Sequence, residues 1–158
     1  MRRYQSNRVI SKFSRSFVLG VLFVTFGIQA AAARNTALIL PVSSVMSMPD
    51  AKQKLDGSVK FYFGKSGHPA VLKKFGNCVT NKKTNSFGKP DEEACNWAML
   101  SALITMQERA QNEGGNAVIN IESYYKRQAN SLNSEFECHA GAFVAGVALR
   151  GDVVKLAK

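Results

Sequence analysis

The first apolar feature along the chain is an unbroken run, Phe17-Val-Leu-Gly-Val-Leu-Phe-Val-Thr-Phe-Gly-Ile28, twelve residues long. Crossing a bilayer core takes roughly 20 apolar residues, whereas the hydrophobic region of an export signal takes about 7 to 15. Before the run stand Arg2, Arg3, Arg8, Lys12 and Arg15 with no acid, and after it come Gln29 and the small residues Ala30 to Ala33 that signal peptidase accepts. The pattern predicts a secretory signal peptide over 1–33, cut after Ala32 or Ala33, with a periplasmic or secreted product. No cysteine follows the cut, so no lipid anchor is expected.

Beyond the cut, the hydrophobic pattern changes period. Residues 34–58 read as a lead-in, with Leu38-Ile39-Leu40 before Pro41 and a Ser/Met-rich stretch up to Pro49. Val59, Phe61 and Phe63 then alternate with Lys60 and Tyr62, the period of a half-buried strand, and Gly64 ends it. Residues 70–75 and 78–80 offer further short strands inside a loop-rich stretch. A helix is predicted over 91–112: Asp91 stands at its cap, Glu92 and Glu93 sit where the helix dipole favours negative charge, and Gly114-Gly115 stop it. On it Cys95, Met99, Ala102, Leu103, Met106 and Ala110 fall in a stripe about 100° wide, the width of a core-facing surface. Trp97, Leu100 and Ile104 lie on another side, so a second surface is expected there, either residues 35–50 or another subunit.

After the glycines, Ala117, Ile119 and Ile121 alternate in a strand over 117–124, a polar loop covers 128–134, and a long strand is read over 135–149, with Val153, Val154 and Leu156 completing the domain. The order strand, helix, β-hairpin predicts an α+β domain over 59–158, a small sheet with one main helix packed across it. No internal repeat or low-complexity tract interrupts it.

Charge and cysteines extend this outline. The formal charge of the 158-residue chain is +10, and +5 remains on residues 34–158 once the five signal-peptide cations are removed. From residue 57 to 90 there are seven lysines and no acid. Of these Lys73, Lys74, Lys82, Lys83 and Lys89 are candidate anion-binding groups, since charge of one sign over a surface attracts anions. Outside the cytoplasm these would be lipid phosphates, lipopolysaccharide or acidic protein faces rather than nucleic acid. Tyr124-Tyr-Lys-Arg127 adds aromatic and basic groups at a strand end.

Cys78, Cys95 and Cys138 would meet an oxidising compartment, where a pair within reach forms a disulfide. A helix of about 22 residues and a ten-residue strand both span roughly 33 Å, so the strand after Gly115 returns along the whole helix. The hairpin then sets Cys138 near the first helical turns, beside Cys95. Cys95 to Cys138 is the expected bond, Cys78 to Cys138 the alternative, and in the first case Cys78 is left unpaired.

The chemistry-bearing motifs are weak. Gly64-Lys65-Ser66 looks like the end of a phosphate loop, but Val59 stands where that pattern requires glycine. His139, His68 and Cys78 are the available metal candidates, and they lack the close paired spacing of zinc sites. His139 and Cys138, adjacent on a strand, point to opposite faces and make a poor nucleophile and base pair. No cofactor, catalytic residue or enzyme activity is expected.

A resemblance adds to this picture. Thr80-Asn-Lys-Lys-Thr-Asn85, Asp91-Glu-Glu-Ala-Cys95, Gln107-Glu-Arg-Ala110, Asn116-Ala-Val-Ile-Asn-Ile121, Tyr124-Tyr-Lys126, Glu137-Cys-His-Ala-Gly141 and Gly146-Val-Ala-Leu-Arg-Gly151 together resemble small exported proteobacterial proteins often labelled "excinuclease ATPase subunit". The label implies a DNA-repair ATPase, yet the chain has no complete phosphate loop and no zinc-finger spacing, so neither ATPase nor excinuclease activity is expected. More distantly, the helix, Asn116-Ala-Val118 and the hairpin are similar to the βαβ domains of the heavy-metal-binding-like family and of the Rcs envelope stress sensor lipoprotein. The latter likeness implies a disulfide-stabilised periplasmic module acting by contact. With three cysteines instead of four and no lipobox, its anchor and disulfide pattern do not carry over.

The expectation is a non-enzymatic periplasmic binding or envelope-associated module. Its partner would be an anionic envelope component or an envelope protein, met through the lysines, by peripheral membrane contact, or through Trp97, Leu100 and Ile104. The alternative is a metal-binding or redox-responsive protein using Cys78 and His139. Oligomeric state is left open.

Overall fold

The computed structural model describes residues 34–158; the signal-peptide reading concerns residues outside that span. In chain order the elements are β1 (Thr36–Pro41), α1 (Val42–Met46), α2 (Pro49–Lys54), β2 (Lys60–Phe63), β3 (Val71–Asn85), α3 (Asp91–Glu113), β4 (Ala117–Ser123), a 3-10 turn (Tyr125–Arg127), β5 (Glu135–Ala140) and β6 (Val144–Leu156). The fold is α+β, a curled mixed sheet of six strands with one main helix across it.

β6 organises the sheet. One of its edges takes β3 antiparallel along the full length, from Asn85 opposite Val144 to Val71 opposite Leu156. The other edge is shared: Ala145 and Gly146 pair with β5, and the stretch from Leu149 to Val154 pairs with β4. β1 adds antiparallel outside β5, and β2 adds parallel outside β4. The sheet therefore forks where β4 and β5 part, and β3 carries a ladder on one side only.

α3 closes one face of this sheet. Cys95, Met99, Ala102, Leu103, Met106 and Ala110 are all buried, as their helical spacing predicts. They pack with alternate sheet residues such as Phe136, Cys138, Val147, Leu149 and Val153. Gly114, in the left-handed region at φ 79°, ends the helix, and Gly115 lies so close to β6 that a Cβ there would sit 2.9 Å from Val153 Cγ1. A smaller cluster of Ala117, Ile119, Val154 and Leu156 packs with Tyr62 and Val71. The described residues form one compact unit that holds the six strands, the disulfide and both clusters. No helix among the described residues is long and apolar enough to cross a membrane.

Several local expectations change. The lead-in is structured: β1 joins the sheet, and α1 and α2 cover the second side of α3. Ser44 Oγ donates to Asn96 Oδ1 at 2.9 Å, Gln107 Nε2 donates to the Lys54 carbonyl at 3.1 Å, and Gln111 Nε2 reaches Asp56 and Ser58. Residues of this same chain thus take the place offered to a partner. Leu100 is 1% exposed and Trp97 and Ile104 are half-buried, so Leu100 presents nothing to a second protein. Asp91 is the first helical residue and does not cap; its carboxylate takes both guanidinium nitrogens of Arg34 at 2.7 and 2.8 Å.

The alternation over 135–149 predicts one strand, but the chain reverses at 141–143 into a hairpin of β5 and β6, with Gly141 N donating to the Val144 carbonyl at 2.8 Å. The buried positions shift from even (Phe136, Cys138, Ala140) to odd (Ala145, Val147, Leu149) across that reversal, and the run of small and apolar residues from Ala140 to Ala148 hides the shift. The lysine-rich stretch is a 15-residue strand rather than a loop-rich lobe. Its apolar signal is faint because much of its length is exposed.

Cys95 and Cys138 form the disulfide, with Cα atoms 5.8 Å apart. Cys78 is free and buried. On β3 it stands opposite Gly151 of β6, with β5 on the other edge of β6 and its pairing to Ala145 and Gly146 five residues along, so it cannot meet Cys138.

Candidate functional site

The face of the sheet opposite α3 carries the polar chemistry. On β3 and β6 the residues facing away from the helix include Asn77, Asn81, Lys83, Gly146, Ala148, Arg150 and Asp152, and β5 contributes Glu137 and His139. At the fork, β4 runs into the 3-10 turn, which folds over the end of β5. There Lys126 and Arg127 hold φ of 49° and 64°, a left-handed conformation that costs a non-glycine residue roughly 1–3 kcal/mol. The turn is held from outside: Tyr124 N donates to the Ala148 carbonyl at 2.8 Å, and Ser123 and Asn130 exchange backbone hydrogen bonds.

This strained turn positions an aromatic and a cation. The Tyr125 ring stacks on His139 with centroids 3.4 Å apart and planes 14° from parallel, and Lys126 Nζ lies 5.3 Å above the Tyr125 centroid. His139 Nε2 is 2.7 Å from Glu137 Oε1 and its Nδ1 is 3.2 Å from Asn35 Oδ1. Asn35 Nδ2 donates to the Tyr125 hydroxyl at 3.2 Å, and Asn130 Nδ2 donates to Glu137 Oε2 at 3.0 Å. Both imidazole nitrogens are occupied, so the ring serves as a fixed platform.

Beside this network lies a cavity of about 350 Å3, walled by Asn35, Tyr125, Lys126 and His139 on one side and by Asn81 and Lys83 on the other. Gly146 and Ala148, small residues on β6, form its floor. Two lysines and several amide and aromatic groups converge on a concave surface, the composition that fixes a small polar ligand. A second cavity of about 360 Å3, between Val42, Met46, Leu55 and β2, is lined by apolar side chains with Lys60 as its single charged residue. It has shape, but only Lys60 and Tyr62 offer polar side-chain groups to orient a ligand.

Burial raises the pKa of Glu137, but the hydrogen bonds from Asn130 and His139 and the charge of His139 lower it further, and the carboxyl ends below its ordinary 4.5. A carboxyl depressed on folding contributes stability that is complete above its unfolded value and is lost as the pH falls through the folded one. Glu137→Gln therefore flattens the acid limb of stability from pH 4.5 downward. Urea titrations of parent and variant at neutral and acid pH measure this; parallel acid limbs refute it.

Of the five candidate lysines, Lys83 alone lines the cavity. Lys82 points to the helix side, Lys89 lies in the turn before α3, and Lys73 and Lys74 are nearer the other end of β3. Ten residues of strand separate Lys73 from Lys83, roughly 33 Å, and Lys73 Nζ caps the Phe75 ring at 4.8 Å. The lysines do not form one patch. Asn35, Asn81 and Glu137 escape sequence reading, because only the closed sheet brings them to His139.

The metal candidates stay apart. Among the described residues no three His, Cys, Asp or Glu side chains converge as a metal site. His68 is exposed in the loop after β2, its ring 5.7 Å from that of Tyr62. Burial raises the Cys78 thiol pKa, against the nearby positive charge of Arg109 and with the negative charge of Glu113; a raised thiol pKa suppresses the thiolate that reacts or binds metal. Gly64-Lys65-Ser66 is a turn in which Ser66 N donates to the Phe63 carbonyl and Asn133 Oδ1 accepts from Lys65 N, and no helix follows it. Comparison of the chain with protein-family models, with curated proteins and with solved structures finds no match.

Proposed function

We propose that residues 34–158 are a non-enzymatic binding module that works outside the cytoplasm and holds an anionic envelope component in the cavity of the helix-free sheet face. The observation that carries this is the approach of Lys83 and Lys126 from opposite walls over the floor of Gly146 and Ala148. Two cations on a concave, partly apolar surface favour a phosphate or carboxylate group. The occupied ring nitrogens of His139 favour binding over proton transfer. The disulfide agrees with an oxidising compartment without demanding one. The alternative, a metal-binding or redox-responsive protein, has His139, His68 and the buried Cys78 to draw on, and these lie in three different places.

Titration of residues 34–158 with sn-glycerol 3-phosphate, followed by amide chemical shifts, tests the site. Gly146, Ala148, Lys126 and His139 amides shift, higher salt weakens the response, and Lys83→Glu with Lys126→Glu lowers affinity roughly tenfold. Shifts elsewhere, or an unchanged response in the double variant, overturn the assignment. Intact mass of the full chain recovered from an expressing cell tests the compartment: loss of 1–32 or 1–33 with one disulfide supports it, and an unprocessed, reduced chain refutes it.

A further inference from the structure

Next to the cavity the molecule ends in an exposed aromatic tip. Phe87, in the turn after β3, and Phe143, in the turn between β5 and β6, are 66% and 67% exposed. Their rings stack on each other with centroids 5.6 Å apart and planes 9° from parallel. Val144, 48% exposed, lies beside Phe143 and also lines the cavity. Isolated exposed apolar side chains are ordinary, but large ones gathered at one tip mark a contact surface.

The two turns are tied into one rigid unit. Ser86, itself buried, donates its N–H to the Phe143 carbonyl at 3.0 Å and its hydroxyl to the Gly141 carbonyl at 2.9 Å. Arg34 Nη2 donates to the same Gly141 carbonyl at 2.8 Å, and Phe87 N donates to Asn85 Oδ1 at 3.0 Å. Stacked on each other, the phenylalanines are held outward by this hydrogen-bonded frame.

Cations flank the tip. Lys89 is exposed in the Phe87 turn, Lys83 lies one alternation before Asn85 on β3, and Lys126 faces Val144 across the cavity. The acids nearest in the chain are Asp91, neutralised by Arg34, Glu92 and Glu93 in the first turn of α3, and Glu137 beside the cavity, whose carboxylate is taken up by His139 and Asn130. Glu92 and Glu93 belong to the helix layer, whereas Lys83 and Lys126 line the opposite face. Apolar rings leading, with lysines just behind at headgroup depth, complement an anionic lipid surface: aromatic rings favour the acyl boundary and cations the phosphates.

We infer that the chain docks on anionic membranes tip-first, inserting Phe87 and Phe143 while the adjacent cavity takes a lipid phosphate between Lys83 and Lys126. This rests on the reading of the cavity as an anion site and adds that the anion is part of a bilayer. The test uses residues 34–158, one compact unit, with vesicles of equal parts phosphatidylcholine and phosphatidylglycerol against pure phosphatidylcholine. The protein co-sediments with the mixed vesicles. Phe87→Ser with Phe143→Ser lowers that affinity roughly tenfold or more, leaving the melting temperature and the glycerol phosphate response unchanged.

In Phe143→Trp, brominated acyl chains quench the added emission, with the parent's Trp97 signal as the reference. Failure of the parent to bind mixed vesicles, equal binding by the double serine variant, or absence of quenching overturns insertion. Vesicle binding that needs the phenylalanines while glycerol phosphate leaves the cavity amides unmoved overturns the anion site and leaves the insertion standing.

Discussion

Replacing Cys95 and Cys138 together by alanine lowers the stability of residues 34–158 by about 3–4 kcal/mol and the melting temperature by roughly 10–15 °C. The bond joins residues 43 apart in sequence, and a cross-link of that span removes loop-closure entropy from the unfolded chain in that amount. It also fastens the first turn of α3 to β5, a strand whose pairing with β6 is confined to His139 with Gly146 and Ala140 with Ala145. Loss of the bond is thus felt first where β1 and β5 branch from the sheet, so hydrogen exchange there accelerates before exchange in β3 and β6. Alanine is the right substitute, because both cysteines are fully buried and serine would bring an unpaired hydroxyl into the core. Calorimetry of oxidised parent and double variant measures the effect; a difference below about 1 kcal/mol would show the cross-link to be incidental.

Phe136→Ala costs about 3–5 kcal/mol, the range for emptying a buried aromatic site. Phe136 is fully buried on β5, opposite Leu40 of β1, and is among the largest buried side chains of the core. Seven residues on, Phe143 supplies the control: it is 67% exposed, and Phe143→Ala changes stability by about 0.5 kcal/mol or less. Urea unfolding of the two variants separates them, with the midpoint falling for Phe136→Ala and holding for Phe143→Ala. Equal midpoints would mean that β5 does not seat Phe136 in the core.

Which parts of this fold were legible in the amino-acid order follows from how each side of an element is used. α3 was legible because Glu92, Glu93 and the Gly114-Gly115 stop bracket a clean inward stripe, and the Cys95 to Cys138 bond followed from helix length and strand return. The route to that bond was partly wrong. The expected hairpin pairs the strand after Gly115 with the start of the strand that carries Cys138, whereas Glu122 and Ser123 of β4 pair with Arg150 and Leu149 of β6. Cys138 nevertheless reaches the first helical turns from the other branch of the fork. β1, α1 and α2 were not legible, since Pro41, Pro49 and the serines between them mask short elements that tertiary contacts hold, β1 by its ladder to β5 and α1 by α3. β3 was read only as two short pieces, 70–75 and 78–80, because period-2 patterning shows only where one face is buried throughout. The cavity is assembled from the start of β1, β3, the 3-10 turn, β5 and β6. No local spacing encodes such a meeting, and Lys83 and His139 were visible in the sequence only as separate residues.

The open side of β3 has a consequence for behaviour in concentrated solution. Fifteen residues of strand, paired along one margin alone among the described residues, form a template for a second molecule to extend the sheet, the first step toward fibrils. Lys73, Lys74, Lys82 and Lys83 are spaced along that margin, so two such margins brought together meet with like charges. Acylation of these amines removes the repulsion and favours rim-to-rim self-association.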